Sequence, residues 1–167
     1  MQTCNQDRLQ NKITAFSHFG ATPKGGITRL SLSKSALEAR AEFCNRCKKL
    51  GMDIKTDDMG NIYATIKGTE NLPAISMGSH IDSVVQGGNY DGILGVLTAL
   101  EAAETIITEQ IKTRHPLTVI IWTNEEVARF DPAIMSFGVI TGHFNRGDMK
   151  KVKDIKGISF GEALEAS

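Results

Sequence analysis

The hydrophobic and polar positions of this chain alternate with two different periods, and the two periods predict its secondary structure. Apolar residues spaced three and four apart predict helices, most clearly at positions 93, 96, 97, 100, 103 and 107. Strict alternation, or a short apolar run rich in β-branched residues such as Val119-Ile-Ile-Trp122, predicts strands. The predicted elements, in chain order, are a helix over 5–19, a helix from about 35 to 50, strands over 52–56 and 62–66, a strand over 74–78, a long helix from 93, a strand over 117–123 and short helices over 132–142 and 159–167.

Serine residues mark the expected starts of two of these helices. Ser33 and Ser35 are both possible N-caps, and Ser35 with Glu38 has the spacing of a capping box. Ser159 is likewise a possible N-cap at the start of the last helix. We therefore expect both helices to begin at side-chain caps.

The order of the central elements predicts the fold class. Strand 74–78, the long helix from 93 and strand 117–123 follow one another as in a parallel crossover unit. With the hairpin over 52–66, this predicts an α/β fold, a mixed sheet with parallel core strands flanked by helices. Ligands of such sheets bind at the carboxyl ends of the strands.

Composition and charge exclude several function classes. The chain has 167 residues, enough for one domain with a core, and its 41% hydrophobic content is ordinary for a globular protein. Its 19 basic and 19 acidic residues balance, so we expect no nucleic-acid partner. No apolar run approaches the ~20 residues of a membrane span, so no membrane partner is expected. Residues 1–20 lack a signal-peptide core, which, with three cysteines, predicts a cytoplasmic protein.

Cys44 and Cys47 form a C-x-x-C sequence, which is compatible with a redox or zinc motif. They also continue the helical spacing of Leu37 and Ala41 on an otherwise charged segment. No second cysteine pair exists to complete a zinc site. We therefore interpret both cysteines as buried members of a helix face.

Imidazole and carboxylate groups cluster directly after the two buried strands. His80 and Asp82 follow the first strand, Asp91 ends a glycine-rich loop, and Glu125 and Glu126 follow the second strand. Imidazole nitrogen and carboxylate oxygen are ligands that zinc, manganese and cobalt accept. The arrangement predicts most of one half of a two-metal hydrolase site.

Each of these residues has more than one structural interpretation. Asp82, two positions after His80, can orient the imidazole of a metal ligand. Asp91 is compatible with a helix cap or first-turn acid, with a carboxylate that bridges two metal ions, or with both. Glu125 and Glu126 point in different directions, so one can bind metal while the other reaches an attacking water.

Three motifs resemble the N-carbamoyl-L-amino-acid hydrolases, a group that includes β-ureidopropionase and allantoate amidohydrolase. They are Gly78-Ser-His-Ile-Asp-Ser-Val84, Gly87-Gly-Asn-Tyr-Asp-Gly-Ile-Leu-Gly-Val96, and Thr123-Asn-Glu-Glu126 with Ala128-Arg-Phe130. This group is the amidase branch of the co-catalytic metallo-aminoacylase and carboxypeptidase superfamily. Residues 26–33, 58–62 and 157–164 resemble it as well, so the resemblance covers nearly the whole chain.

The resemblance implies a role for each clustered residue. His80 would bind one metal ion, Asp91 would bridge two, and Glu126 would bind the second. Glu125 would be the general base, and Asp82 would orient the imidazole. The implied cofactors are two divalent ions (zinc, manganese or cobalt). The implied substrate is a small molecule, an N-carbamoyl amino acid or ureido acid, whose C–N bond is hydrolysed.

Members of this group are well over twice as long as the present chain. Residues 1–167 would therefore be the N-terminal portion of an incomplete metallo-exopeptidase-like catalytic domain. The remaining histidine ligands and the lid and dimerisation domain of the homodimeric relatives would lie beyond it. With three of five ligands, we expect weak metal binding and little turnover. The alternatives are an aminoacylase or dipeptidase of the same superfamily, and a non-catalytic remnant of a truncated gene.

Two positions depart from the group's pattern. Val127 stands where glycine usually follows the paired glutamates, and a β-branched residue tolerates a positive φ poorly. Ser136-Phe137 replaces a small Gly-Ser pair on the substrate side. His18, His115 and His143 lack motif context, and we interpret them as surface residues.

Overall fold

A computed structural model describes residues 4–167 of the chain. Residues 1–3 lie outside the described residues. They belong to the segment 1–20, which was predicted to lack a signal-peptide core. The elements are α1 (Gln6–Phe16), α2 (Lys34–Lys49), β1 (Asp53–Thr56), β2 (Ile62–Ile66), β3 (Ile75–His80), α3 (Ile93–Thr108), β4 (Leu117–Trp122), α4 (Met135–Ile140), α5 (Arg146–Lys151) and α6 (Phe160–Glu165).

The strands form one mixed sheet in the order β1-β2-β4-β3. The β1/β2 and β2/β4 pairs are antiparallel, whereas β3 and β4 are parallel and are joined through α3. The predicted α/β fold with a mixed sheet and parallel core strands is confirmed.

The main core lies between one face of the sheet and the first three helices. Ala64, Val119 and Ile121 present this face, and each is 0% exposed. Phe43 from α2 and Leu100 from α3 pack into the same cluster. Because the side chains of β2 and β4 alternate sides at every residue, only every second one meets the helices.

A second apolar cluster lies where β4 leaves the sheet. Phe130, Met135 and Phe160 are fully buried in it. The rings of Phe130 and Phe160 pack edge to face, with their centroids 5.3 Å apart. This cluster connects α4 and α6 to the loop that follows β4. It gives that loop a packed support outside the main core.

The N-cap of α6 agrees with the sequence prediction, whereas the capping box predicted for α2 does not form. Ser159 caps α6 as expected, and it forms a capping box with Glu162. The capping box of Ser35 with Glu38 is wrong, because Ser33 is extended and accepts from the Ala36 N–H, so Ser35 already lies inside α2.

Some element boundaries also differ from the predictions. The first helix ends at Phe16 rather than 19, and the segment predicted as helical over 132–142 is helical only from Met135 to Ile140. Helix α5 was not predicted. Its N-cap is Asn145, whose side chain accepts from the Asp148 N–H, but Gly147 weakens the helical pattern of its sequence.

The C-x-x-C cysteines occupy the interior face of α2. Cys47 is 0% exposed and belongs to the main core, where Cys44 packs against it from a partly buried position. Burial raises the pKa of the Cys47 thiol to about 12, which makes the thiolate scarce at neutral pH. The interpretation as buried helix-face residues is confirmed for Cys47, whereas Cys44 lies on the same face but is only partly buried.

Within residues 4–167, every helix is too short or too polar to cross a bilayer.

A buried ionic cluster holds α1 against α3. Glu101 is 1% exposed and accepts from Lys12 Nζ at 2.6 Å and from Arg8 Nη2 at 2.6 Å. Lys12 is 2% exposed and also contacts Glu104 Oε2 at 2.7 Å. Burial raises the pKa of Glu101, but the hydrogen bonds from Arg8 and Lys12 outweigh it and lower the value from 4.5 to about 2.

We predict that Glu101→Gln lowers the free energy of unfolding by about 3 kcal/mol at pH 7, because Lys12 loses a buried partner. A carboxyl whose pKa is lower in the folded state stabilises the protein above its unfolded pKa. Wild-type stability should therefore fall as the pH drops from about 5 toward 2, and the variant should lose less over that range. Urea unfolding followed by circular dichroism measures both effects.

The exposed pair between Arg114 and Glu70 provides the control, with Arg114 Nε 2.7 Å from Glu70 Oε1. Glu70→Gln should leave stability nearly unchanged, because solvent screens this pair. Equal losses in the two variants would contradict a special role for the buried cluster.

Candidate metal centre

The register of the parallel pair brings the predicted site residues to one edge of the sheet. His80 is the last residue of β3 and lies opposite Trp122, the last residue of β4. Glu125 and Glu126 follow Trp122 after a turn of two residues. Both sets of side chains therefore emerge at the same carboxyl edge.

The side chains converge on the outer nitrogen of the His80 ring. His80 Nε2 lies 3.3 Å from Glu125 Oε2 and 3.7 Å from Asp91 Oδ1. One ligand atom each from His80, Asp91 and Glu126 lies within 4.8 Å of the other two. In residues 4–167, this is the group of histidine, cysteine and acidic side chains whose spacing suits a metal ion.

Asp82 supports the inner side of this cluster, with its main chain as well as its carboxylate. His80 Nδ1 lies 3.0 Å from the main-chain oxygen of Asp82 and 3.8 Å from its carboxylate oxygen. The carboxylate instead accepts from the Glu126 N–H at 3.1 Å. The expected contact to the imidazole is thus made through the peptide, and the carboxylate links the two strand ends.

The glycine-rich loop presents Asp91 to solvent beside the ring. Asp91 is exposed, whereas His80 is 5% exposed. Gly92 is the N-cap of α3, and no side chain caps that helix. The alternative in which Asp91 caps α3 is therefore wrong, and its carboxylate is free to face His80.

Gly92 is required by the position of the imidazole. Its φ is +63°, in the left-handed region. A Cβ at this position would also lie within 2.3 to 2.5 Å of the His80 ring atoms, far inside van der Waals contact. Only glycine lets the loop pass so close to the predicted ligand.

The loop after β4 presents the paired glutamates in a conformation set by Asn124. Asn124 has a φ of +57°, which asparagine tolerates, and its Nδ2 donates to the Phe130 oxygen at 2.9 Å. The concern about Val127 does not arise, because the positive φ falls on Asn124. Val127 is 51% exposed beside the site.

Three side chains that were given no catalytic or metal-binding role support the end of β4. The Thr123 N–H donates to Asn61 Oδ1 at 2.9 Å and to Ser136 Oγ at 3.0 Å, and Arg40 Nη1 donates to Thr123 Oγ1 at 2.9 Å. Arg40 also donates to the Gly60 oxygen. Ser136, a departure from the group's pattern, is thus a buried support. Asn61 lies in the segment 58–62 that resembles the group, whereas Arg40 carried no signal in the sequence.

The site concentrates negative charge. Burial raises the pKa of Glu126, and the charges of Asp91 and Glu125 raise it further while the His80 imidazole lowers it. Burial likewise raises the pKa of Asp82. Repulsion among acids is relieved when a divalent cation lies between them.

The donor atoms fit a divalent metal ion. One imidazole nitrogen and two carboxylate oxygens match the ligand chemistry of zinc, manganese and cobalt. His80 is buried, whereas Asp91 is exposed and Glu126 is half-buried, so an ion can reach the three ligand atoms from solvent. His18 and His143 are exposed, and His115 Nδ1 contacts the Pro73 oxygen at 2.8 Å, so these histidines lie apart from the cluster.

Comparison with known proteins shows the family of this chain. Residues 61–144, half of the chain, match the model of Peptidase family M28. The chain is 39% identical over 163 residues to an N-carbamoyl-L-amino-acid amidohydrolase of Rhizobium meliloti, covering 96% of this chain and 39% of that protein. It is 35% identical over 167 residues to an allantoate amidohydrolase of Escherichia coli, covering 99% of this chain and 41% of that protein.

Solved structures give the same result. A hydantoinase/carbamoylase family amidase from Burkholderia ambifaria superposes with a TM-score of 0.96 at 36% identity, covering 98% of this chain and 40% of that chain. The chain spans about two fifths of the length of these relatives. The resemblance to N-carbamoyl-L-amino-acid hydrolases is therefore confirmed, and the chain belongs to Peptidase family M28.

Proposed function

We propose that this chain forms the N-terminal part of the active site of a metal-dependent amidohydrolase. Its substrate would be an N-carbamoyl amino acid or a ureido acid. The observation that carries the proposal is the convergence of His80, Asp91, Glu125 and Glu126 at one edge of the sheet. The names of the Rhizobium meliloti and Escherichia coli relatives support this substrate class.

In this proposal His80, Asp91 and Glu126 hold the metal ions. Asp91 would bridge two ions, since its exposed carboxylate has two oxygens and lies near both His80 and Glu126. Zinc, manganese and cobalt all suit these ligands. When bound, such ions lower the pKa of water and polarise the substrate carbonyl.

Glu125 is the proposed general base. Its Oε2 lies 3.3 Å from His80 Nε2, so it reaches the point where the ligand atoms converge, and its side chain is 34% exposed. It would take a proton from the attacking water and give it to the departing nitrogen. Hydrolysis of the carbamoyl group would release ammonia, carbon dioxide and the free amine. Asp82 would hold the His80 ring and the Glu126 peptide in place.

The chain alone should be a weak catalyst. It supplies three metal ligands of the five that the resemblance implies, and its relatives are about two and a half times as long. We propose that the complete protein is a homodimer and is cytoplasmic. Cys4, Cys44 and Cys47 are free thiols, which suits a reducing compartment.

The substrate class can be tested in a chimera in which this chain replaces the corresponding segment of the Rhizobium meliloti amidohydrolase. We predict that the chimera releases ammonia from N-carbamoyl amino acids. Glu125→Gln in the chimera should lower kcat by about 10³-fold, because proton transfer is lost while the metal ligands remain. Steady-state ammonia assays and metal analysis measure these effects.

Glu109→Gln, at an exposed glutamate after α3, is the matched control and should keep full activity. A chimera that hydrolyses N-acetyl amino acids in preference to N-carbamoyl amino acids would favour the aminoacylase alternative. Full activity of the Glu125→Gln chimera would refute the role of Glu125.

The metal centre can be tested on the 167-residue chain itself. We predict that Gly92→Ala lowers the affinity for Zn²⁺ by about tenfold or more, because the added Cβ displaces the His80 ring. Calorimetric titration with Zn²⁺ measures the affinity, and circular dichroism checks the fold. Gly88→Ala in the same loop is the control, since a Cβ there meets no atom within 4 Å. Equal affinities in the two variants would show that His80 is not a ligand.

A further inference from the structure

Arg29 is a buried arginine whose side chain contacts only main-chain oxygens. It lies between α1 and α2 and is 3% exposed. Its Nε donates to the Ile81 oxygen at 2.5 Å, and its Nη1 donates to the oxygens of Phe16 and Phe19, each at 3.0 Å. One guanidinium therefore joins the end of α1 to the residue between His80 and Asp82.

The main chain of Arg29 contacts the same segment. Its N–H donates to Ser83 Oγ at 2.9 Å, and its oxygen accepts from the Ser83 N–H at 3.0 Å. Ile81 and Ser83 are thus both fixed to Arg29, one by its side chain and the other by its backbone. Asp82 lies between these two points of attachment.

Burial of this charge is costly and needs a reason. Burial lowers the pKa of Arg29 to about 10, and the charge of Asp82 raises it. The side chain still carries its charge at neutral pH, yet its hydrogen-bond partners are neutral oxygens. The planar fork of arginine can hold several separate acceptors in fixed directions, which a single ammonium cannot do. The arrangement is suited to fixing geometry.

The geometry that Arg29 fixes leads to the imidazole of His80. The Ile81 oxygen belongs to the peptide that connects Ile81 to Asp82, so holding it restricts the orientation of Asp82. The Asp82 main-chain oxygen lies 3.0 Å from His80 Nδ1. A carbonyl oxygen can only accept, so this contact needs an Nδ1–H donor and turns Nε2 toward Asp91 and Glu125.

We propose that Arg29 is a positioning residue that, through the Ile81–Asp82 peptide, holds the His80 ring with Nε2 directed at the position of a divalent cation. This proposal rests on the metal-binding role of His80 in the proposed function. Arg29 would not touch substrate or metal. Residues that directly orient a metal-bound histidine typically contribute 10- to 100-fold to metal affinity. Arg29 acts on His80 only through the Ile81–Asp82 peptide, so we expect it to contribute roughly tenfold.

The test uses the metal-free 167-residue chain labelled with ¹⁵N in its histidines. In the wild type, the His80 Nδ1–H should be hydrogen-bonded and protected from exchange with water. Arg29→Gln keeps an amide donor but loses the fork, and its His80 Nδ1–H should exchange at least about tenfold faster. Arg29→Lys keeps the charge and should fall between the two. Zn²⁺ titration should show an affinity about tenfold lower for Arg29→Gln.

Arg8→Gln is the matched control. Arg8 also anchors α1, but to Glu101 of α3, so this variant should lose stability without changing the His80 ring or the Zn²⁺ affinity. Wild-type ring signals and Zn²⁺ affinity in folded Arg29→Gln would overturn the proposal and leave Arg29 as a support for α1 alone.

Failure of the wild type to bind Zn²⁺ and failure of Arg29→Gln to fold can each be distinguished from failure of the proposal. If the wild-type chain fails to bind Zn²⁺, the proposed function fails, but the ring measurement still decides the role of Arg29. If Arg29→Gln does not fold, Arg29→Lys decides instead, because it keeps the buried charge but loses the fork that holds the Ile81 oxygen. Faster exchange of the His80 Nδ1–H in that variant would support the proposal, and an unchanged exchange rate would overturn it.

Discussion

The parallel pairing of β3 with β4 is the constraint on which the site depends. Six residues of each strand are in register, which sets His80 opposite Trp122. If the pairing slipped by one residue, the side chains of one strand would change faces and the glutamates would leave the imidazole. Gly78 allows the close pairing, since a Cβ there would lie 2.0 Å from the Ile120 oxygen. Hydrogen bonding along two buried strands thus determines where the chemistry can occur.

The acidic groups of the site repel one another, and hydrogen bonds and positive charges nearby offset this electrostatic repulsion. Asp82 is buried and accepts from the Glu126 N–H, and buried Arg29 lies close enough for its charge to interact with that of Asp82. Arg40 contributes positive charge from the neighbouring helix. A divalent cation on the open side would balance the remaining charge of Asp91 and Glu126. Such concentration of like charge is typical of functional sites rather than of stabilising ones.

Much of the fold and of the site could be predicted because their signals are local. The long apolar period of α3 and the two short β-branched runs identify a strand, a helix and a strand, and such an order favours a parallel pair. The position of His80, Asp91 and Glu126 relative to these elements places them at the carboxyl edge. Helix α5 was missed because a glycine in its first turn weakens the local pattern.

The amino-acid sequence by itself determined most of the elements, the fold class, the family resemblance and the residues at the site, because periodicity, caps and motifs are properties of neighbouring residues. Only the tertiary structure decided which atoms meet. The imidazole contacts the main chain of Asp82, the positive φ falls on Asn124 rather than Val127, and Arg29 reaches Ile81. These contacts join residues distant in the chain or depend on backbone direction, and no local pattern encodes either of them.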